Sequence, residues 1–374
     1  GFITQTTTFT ATLGAAFAFA IVVSILVDIA VQLNVWRVIG VSGRRAQELG
    51  NLVLPGVGHA LAGLVVLGGL VFNIGNVAGG GLGLDALLGL DPRIGGAITA
   101  AVAIAIFLNR WAGMAMDRMV VVLGVLMIAL TAYVAVVSRP PVGAALRNVV
   151  LPEDVQFLAI TTLIGGTVGG YITYAGAHRL LDSGVTGPEH VGEISRSSVT
   201  GILVTGVMRA VLFLAILGVV AGGATLAAGN PAASAFESAA GEIGLRLFGV
   251  ILWAASITSV IGASYTSVSF LTSSSTQGDA RRNLLIVAFI AVSTTVYLVA
   301  GKAPVALLIF AGAFNGLILP LGFAVLLWVA ARRTDDLLNG YRYPRWLLGV
   351  GVLAWLLTLY LGYQSLSGLA KLWQ

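Results

Sequence analysis

Residues 164–179 read Ile164-Gly-Gly-Thr-Val-Gly-Gly-Tyr-Ile-Thr-Tyr-Ala-Gly-Ala-His-Arg179, and their reading decides the fold. The flanks are apolar and helix-forming, Val155 to Leu163 on one side and Ala175 to Leu181 on the other. Between them stand Thr167 and four glycines, each glycine costing a helix about 1 kcal/mol relative to alanine. In hydrocarbon no water satisfies the backbone groups that a broken helix frees. A break is therefore tolerated only where it lines a cavity or is buried in protein. Glycine-interrupted apolar segments are the best sequence pointer to a transporter's substrate site. A packing notch of small residues between helices leaves the same trace. The break is the reading carried forward.

Working outward, charged residues make up only 9% of the 374 residues and hydrophobic ones 58%. Mean hydropathy is +0.99. A soluble domain carries about 25% charge, so the chain is read as an all-α polytopic membrane protein whose first partner is the lipid bilayer. The 49 glycines suit helices packed closely through small residues. Cysteine is absent, which excludes disulfides, thiolate metal sites and haem attachment. The net charge of +5 says little by itself, and nothing points to nucleic acid. No stretch is long enough for a soluble catalytic domain. The chain opens on Gly1 rather than Met, so residues upstream are expected.

Apolar runs of spanning length, about 20 residues, occur at Ala15–Leu33, Leu52–Leu88, Ile94–Leu108, Met119–Val137 and Leu158–Leu181, the last with the break. They continue at Ile202–Ala221, Leu245–Leu271, Leu284–Ala300, Val305–Ala330 and Leu347–Leu366. The polar, Thr-rich opening segment to Leu13 fits the second half of an earlier interrupted helix, which brings the expected total to about eleven. Lys and Arg divide 13 to 5 between the two sets of alternating loops, with Arg37, Arg44, Arg45, Arg179 and Arg196 in the majority set. The positive-inside rule puts that set in the cytoplasm. The N-terminus then lies on the cytoplasmic side of a bacterial inner membrane and the C-terminus outside.

Laid end to end, the chain resembles the NRAMP family of proton-coupled divalent-metal transporters. The resemblance implies a LeuT-like inverted-repeat bundle in one transmembrane domain, 1–374, with helices one and six unwound. The family's first helix breaks at Asp-Pro-Gly-Asn. Here Gly1 falls on the motif's glycine, Phe2 on its asparagine, and Leu13-Gly14 on the turn ending the half-helix, 1–14. The sixth-helix break, Thr-Val-Met-Pro-His-Asn in the family, corresponds to Thr167-Val-Gly-Gly-Tyr-Ile172 within 155–182. The Ser/Thr-rich stretch Ala255–Leu271, Arg281-Arg282 and Pro320 also match.

The resemblance implies a metal held by the Asp and Asn of the first break and the Met of the sixth, the soft thioether favouring transition metals. In this chain Phe2 replaces the Asn, Gly169 the Met, and Tyr171 the family's His. Transition-metal transport and a resident metal or cofactor are therefore not expected. The N-termini of the two second half-helices, near Phe2 and Gly170-Tyr171, suit the opposite charge. The expected substrate is a small monovalent oxyanion, bicarbonate being the simplest. Its expected contacts are Phe2, Ile3, Thr4, Thr167, Gly169, Gly170 and Tyr171, with Gln5 and Thr6 as further neutral hydrogen-bond groups. The alternative is a partly hydrated Mg²⁺ or Mn²⁺, carried with or without protons.

Asp28 and Arg209 lie inside apolar runs, where a charge implies a partner. With His59 and Asn73 they are candidates for a proton or ion pathway, or else a structural pair and interhelical glue. Asn73 and Asn76 stand where the family's third helix is acidic. His178-Arg179 reads as a cationic pair favourable at a helix C-terminus. An enzyme is not expected: the three histidines are scattered and Ser264 has no histidine near it in sequence. A channel remains open, since broken helices also build filters. The chain is expected to act as a monomer.

Overall fold

The computed structural model describes residues 1–271 and 280–372. Its regular elements are helical, and no strand occurs among the described residues. The chain opens with α1 (Phe2–Leu13) and passes through a short turn into α2 (Phe17–Ser42). The turn pivots on Gly14, whose φ of 54 lies in the left-handed region that a side chain would strain. Then follow α3 (Ala46–Val53), α4 (Val57–Leu88), α5 (Pro92–Leu108), α6 (Arg110–Val137) and α7 (Val142–Val150). Next come α8 (Phe157–Thr167), α9 (Ile172–Asp182), α10 (Val191–Ala221) and α11 (Pro231–Val268). The last elements are α12 (Ala280–Ala300), α13 (Pro304–Arg332), α14 (Thr334–Leu337) and α15 (Arg345–Lys371).

Local chemistry sets several of these boundaries. Asp91 caps α5 by accepting from the Arg93 and Ile94 amides, with Pro92 at the first helical position. Asn230 and Pro231 open α11 in the same way. Within α11 the helix kinks at Gly241, φ 63, which separates a short first segment from the long span. By length and apolarity alone, eight helices among the described residues are able to cross a membrane, or nine if the α6–α7 pair, bent by 103°, counts as one. The sequence tally of about eleven is higher for two reasons. α1 runs on into α2 as one 41-residue stretch, and α5 is a shorter apolar helix.

Small residues let the backbones approach. A Cβ at Gly83 of α4 would meet the Trp253 backbone of α11, and one at Gly81 would overlap the Pro92 carbonyl. Asn73 on α4 donates to the hydroxyls of Ser264 on α11 and Ser293 on α12, 3.1 Å each. At one end of the bundle the loops rich in Arg come together. Arg45 pairs with Asp182 at 3.6 Å, Arg333 donates to the Leu52 carbonyl, and Asn339 to that of Val41.

Candidate functional site

The apolar run of 155–182 does break. α8 stops at Thr167, and α9 restarts at Ile172 with its amide bonded to the Gly169 carbonyl at 2.7 Å. The Gly170 amide, freed by the break, donates to the Asn315 carbonyl of α13 at 2.9 Å. Each glycine of the break answers to a close neighbour. A Cβ on Gly165 would overlap the Gly312 carbonyl, and one on Gly166 would press on Gln5 Oε1 at 2.8 Å. One on Gly169 would strike the Gly165 backbone, and one on Gly170 would lie 2.7 Å from Asn315 Oδ1. Gly165 and Gly170 thus serve packing on α13 as well as the break, and both sequence readings hold at once.

α1 packs beside this break. Gln5, fully buried, donates from Nε2 to the Leu308 carbonyl of α13 at 2.8 Å, while its Oε1 has no partner. Thr4 is buried as well. The Thr6 hydroxyl is used internally, donating to the Phe2 carbonyl. Tyr171 meets Phe72 of α4 edge-on, ring centres 5.4 Å apart.

The charged residues gather at the same place. Arg209, midway along α10 and 1% exposed, donates from Nη2 to the Thr167 hydroxyl at 3.2 Å. Its guanidinium carbon lies 4.8 Å from the centre of the Phe2 ring, a cation–π contact. Thr167 passes its own proton to the Leu163 carbonyl, so its oxygen is free to accept. Asp28 of α2, wholly buried, has Arg209 and Thr167 as its electrostatic neighbours. Arg209 Nε has no hydrogen-bond partner, and the Thr167 hydroxyl near Asp28 sends its proton to the Leu163 carbonyl instead. A cation beside the C-terminal end of α8 also meets the negative pole of that helix.

Of the expected residues, Phe2, Thr167, Asp28 and Arg209 therefore come together at the junction of α1, α2, α8 and α10. Gly170 is close by, but its amide is already engaged, which corrects its expected role as a free donor. Tyr171 faces Phe72 of α4. His59 does not join them. It is exposed near the start of α4. Asn73 holds α4 to α11 and α12, as interhelical glue, and Asn76 donates to the Ser259 carbonyl. His178 departs from the expected cationic pair. Its Nε2 accepts from the Ala46 amide, and its ring stacks on Phe270 at 4.4 Å, so it sits as a buried neutral acceptor. Asn315 was not among the expected site residues, although an amide inside the apolar run 305–330 was a visible signal.

Among the described residues no three His, Cys, Asp or Glu side chains converge as metal ligands. A cavity of about 360 Å³ borders Phe2 and Ile3 between α6, α10 and α11, lined chiefly by apolar groups including Met127, Met208 and Ile251. It carries no charge and is unsuited to a bare ion.

A family model described as natural resistance-associated macrophage protein-like, Nramp, matches residues 1–367. The chain is 50% identical over 374 residues to the uncharacterized membrane protein YcsG of Bacillus subtilis, covering 100% of this chain and 92% of that one. It is 53% identical over 344 residues to an uncharacterized membrane protein of Haemophilus influenzae, covering 92% and 86%. Among solved structures it is similar to the Eremococcus coleocola manganese transporter bound to an aromatic bis-isothiourea compound. That match has TM-score 0.65 and 17% identity over 98% of this chain and 83% of the other. A histidine mutant of the same transporter superposes with TM-score 0.67 at 16% identity and the same coverage. The LeuT-like architecture is thereby established.

Proposed function

The chain belongs to the Nramp family of membrane transporters, and from that premise we propose that it is a secondary transporter of a small monovalent oxyanion, with bicarbonate the simplest case. Membership of a transporter family agrees with the expectation that it is not an enzyme. The observation that carries the anion reading is Arg209, a buried guanidinium held against both Phe2 at the start of α1 and Thr167 at the end of α8. In a low-dielectric site a fixed cation attracts an anion far more strongly than in water. The first-turn amides of α1, at Phe2 and Ile3, add a partial positive charge on the same side. The positions that correspond to the family's Asn and Met ligands hold Phe2 and Gly169, neither of which has a side-chain donor atom for a metal ion.

A second reading has support of its own. Asp28 and the orphaned amide oxygens of Gln5 and Asn315 are hard oxygen donors near the break, the type that suits partly hydrated Mg²⁺ or Mn²⁺. Against it, Asp28 is a single carboxylate with Arg209 beside it. Uptake of labelled bicarbonate and of small labelled monocarboxylates in proteoliposomes, beside Mg²⁺ and Mn²⁺, decides between the two. Protein-dependent Mg²⁺ or Mn²⁺ flux without flux of any of these anions would replace the anion reading by the cation one.

We also infer an inner-membrane location with the N-terminus cytoplasmic. The excess of Lys and Arg on one set of alternating loops and the bacterial origin of the relatives support it.

A further inference from the structure

We propose that Arg209 is the anchor for the substrate anion and Asp28 the carrier of a co-transported proton, so that one anion and one proton move together and the substrate is a small organic monocarboxylate. This rests on the anion reading and narrows it.

The geometry comes first. Arg209 and Asp28 are both at least 99% buried, on facing helices α10 and α2. Yet they are not locked together as a structural pair would be. Arg209 spends Nη2 on Thr167 and keeps Nε without a partner, and Asp28 has beside Arg209 only the Thr167 hydroxyl, whose proton is turned to the Leu163 carbonyl. Groups buried this deeply and left with spare donors and acceptors have capacity for a ligand. Among the described residues Arg209 is the charge that acts on Asp28, and the neighbouring α8 turns only the neutral Thr167 hydroxyl toward it.

Charge balance then couples the two ions. With the site empty, ionised Asp28 balances Arg209 and the net charge is zero. When Asp28 takes a proton, Arg209 loses its counter-charge and binds one carboxylate through its N–H groups, and the net charge is again zero. An anion without the proton leaves the site at −1, and a proton without the anion leaves it at +1. Either buried net charge is disfavoured in a low-dielectric interior. Only the empty and the doubly loaded forms are therefore free to switch between the two faces. No covalent bond is made. The proton moves on and off the Asp28 carboxyl, and the carboxylate leaves unchanged.

The same balance selects the substrate. Bicarbonate carried with one proton is equivalent to carbon dioxide and water, and carbon dioxide crosses bilayers unaided. A hydroxy- or keto-monocarboxylate, whose anion does not cross, gains from such a carrier.

The test is uptake of radiolabelled lactate and pyruvate, with bicarbonate alongside, in proteoliposomes under an imposed pH gradient and no membrane potential. A one-unit gradient, acid outside, is expected to drive about tenfold accumulation of one of the two carboxylates. Asp28→Asn should lose this accumulation but keep exchange of internal for external anion, and Asp28→Glu should restore it. Arg209→Gln should lose both, with a monodisperse gel-filtration peak showing that the variant folds. Carboxylate uptake indifferent to the pH gradient, or unchanged in Asp28→Asn, overturns the coupling while the anion reading stands. Uptake of bicarbonate alone overturns the inference in the same way. No anion uptake together with Mg²⁺ or Mn²⁺ uptake overturns both.

Discussion

Arg209 donates from Nη2 to the Thr167 hydroxyl across 3.2 Å, so a cation on α10 holds the last residue of α8 at the point where the helix breaks. The bond joins a helix that runs unbroken through the bundle to the end of a half-helix. Any movement of α8 against α10 has to break it or carry Arg209 along.

Thr167→Val removes the acceptor and leaves a second guanidinium nitrogen unsatisfied in a buried site. The expected loss is about 1–3 kcal/mol of stability. Thermal unfolding in detergent, wild type against variant, measures it. A stability unchanged within error would mean that water or another group already serves Arg209.

Phe2→Ala removes the ring beneath the guanidinium. A buried cation–π contact contributes about 2 kcal/mol, so with the guanidinium no longer held in place anion affinity should fall by up to about thirtyfold while the fold persists. Phe2→Asp places a carboxylate against Arg209 and should abolish anion uptake. A gain of divalent-cation uptake in the same variant would be the mark of a cation site closed in this chain by its aromatic residue.

Gly165→Ala should fail to fold or to transport, because the added methyl overlaps the Gly312 carbonyl on α13. Gly262→Ala is the matched control: nothing lies within 4 Å of its Cβ, and it should be tolerated. Expression level and gel-filtration profile compare the two. Equal behaviour would contradict the close α8–α13 packing.

Asn73→Ala should cost about 0.6–2 kcal/mol, the span measured for interhelical hydrogen bonds in membranes, by releasing Ser264 and Ser293. Its substrate preference and pH dependence should match the wild type. A shift in either would return Asn73 to the transport pathway.

Manganese should not bind with micromolar affinity, because Phe2 and Gly169 occupy the positions of two side-chain ligands. Isothermal titration calorimetry on the purified protein checks this, and a saturable micromolar isotherm would contradict it.

Composition and the placement of glycines were enough to establish that this chain is a membrane-embedded helical bundle and that its sixth span is broken. Both follow from a local constraint: hydrocarbon accepts only long apolar helices, and glycines in such a run free backbone groups that must be satisfied by protein. The sequence also singled out Asp28 and Arg209, since a charge in an apolar run stands out wherever it lies. What satisfies the break was beyond its reach, because the Gly170 amide finds its partner on Asn315, far along the chain. Tertiary structure likewise decided that His178 is a buried acceptor and that Asn73 is glue. It alone gathered Phe2, Asp28, Thr167 and Arg209 at one junction. Those meetings depend on how four helices rotate and slide against one another, and hydropathy, which is nearly uniform around such helices, carries no record of that rotation.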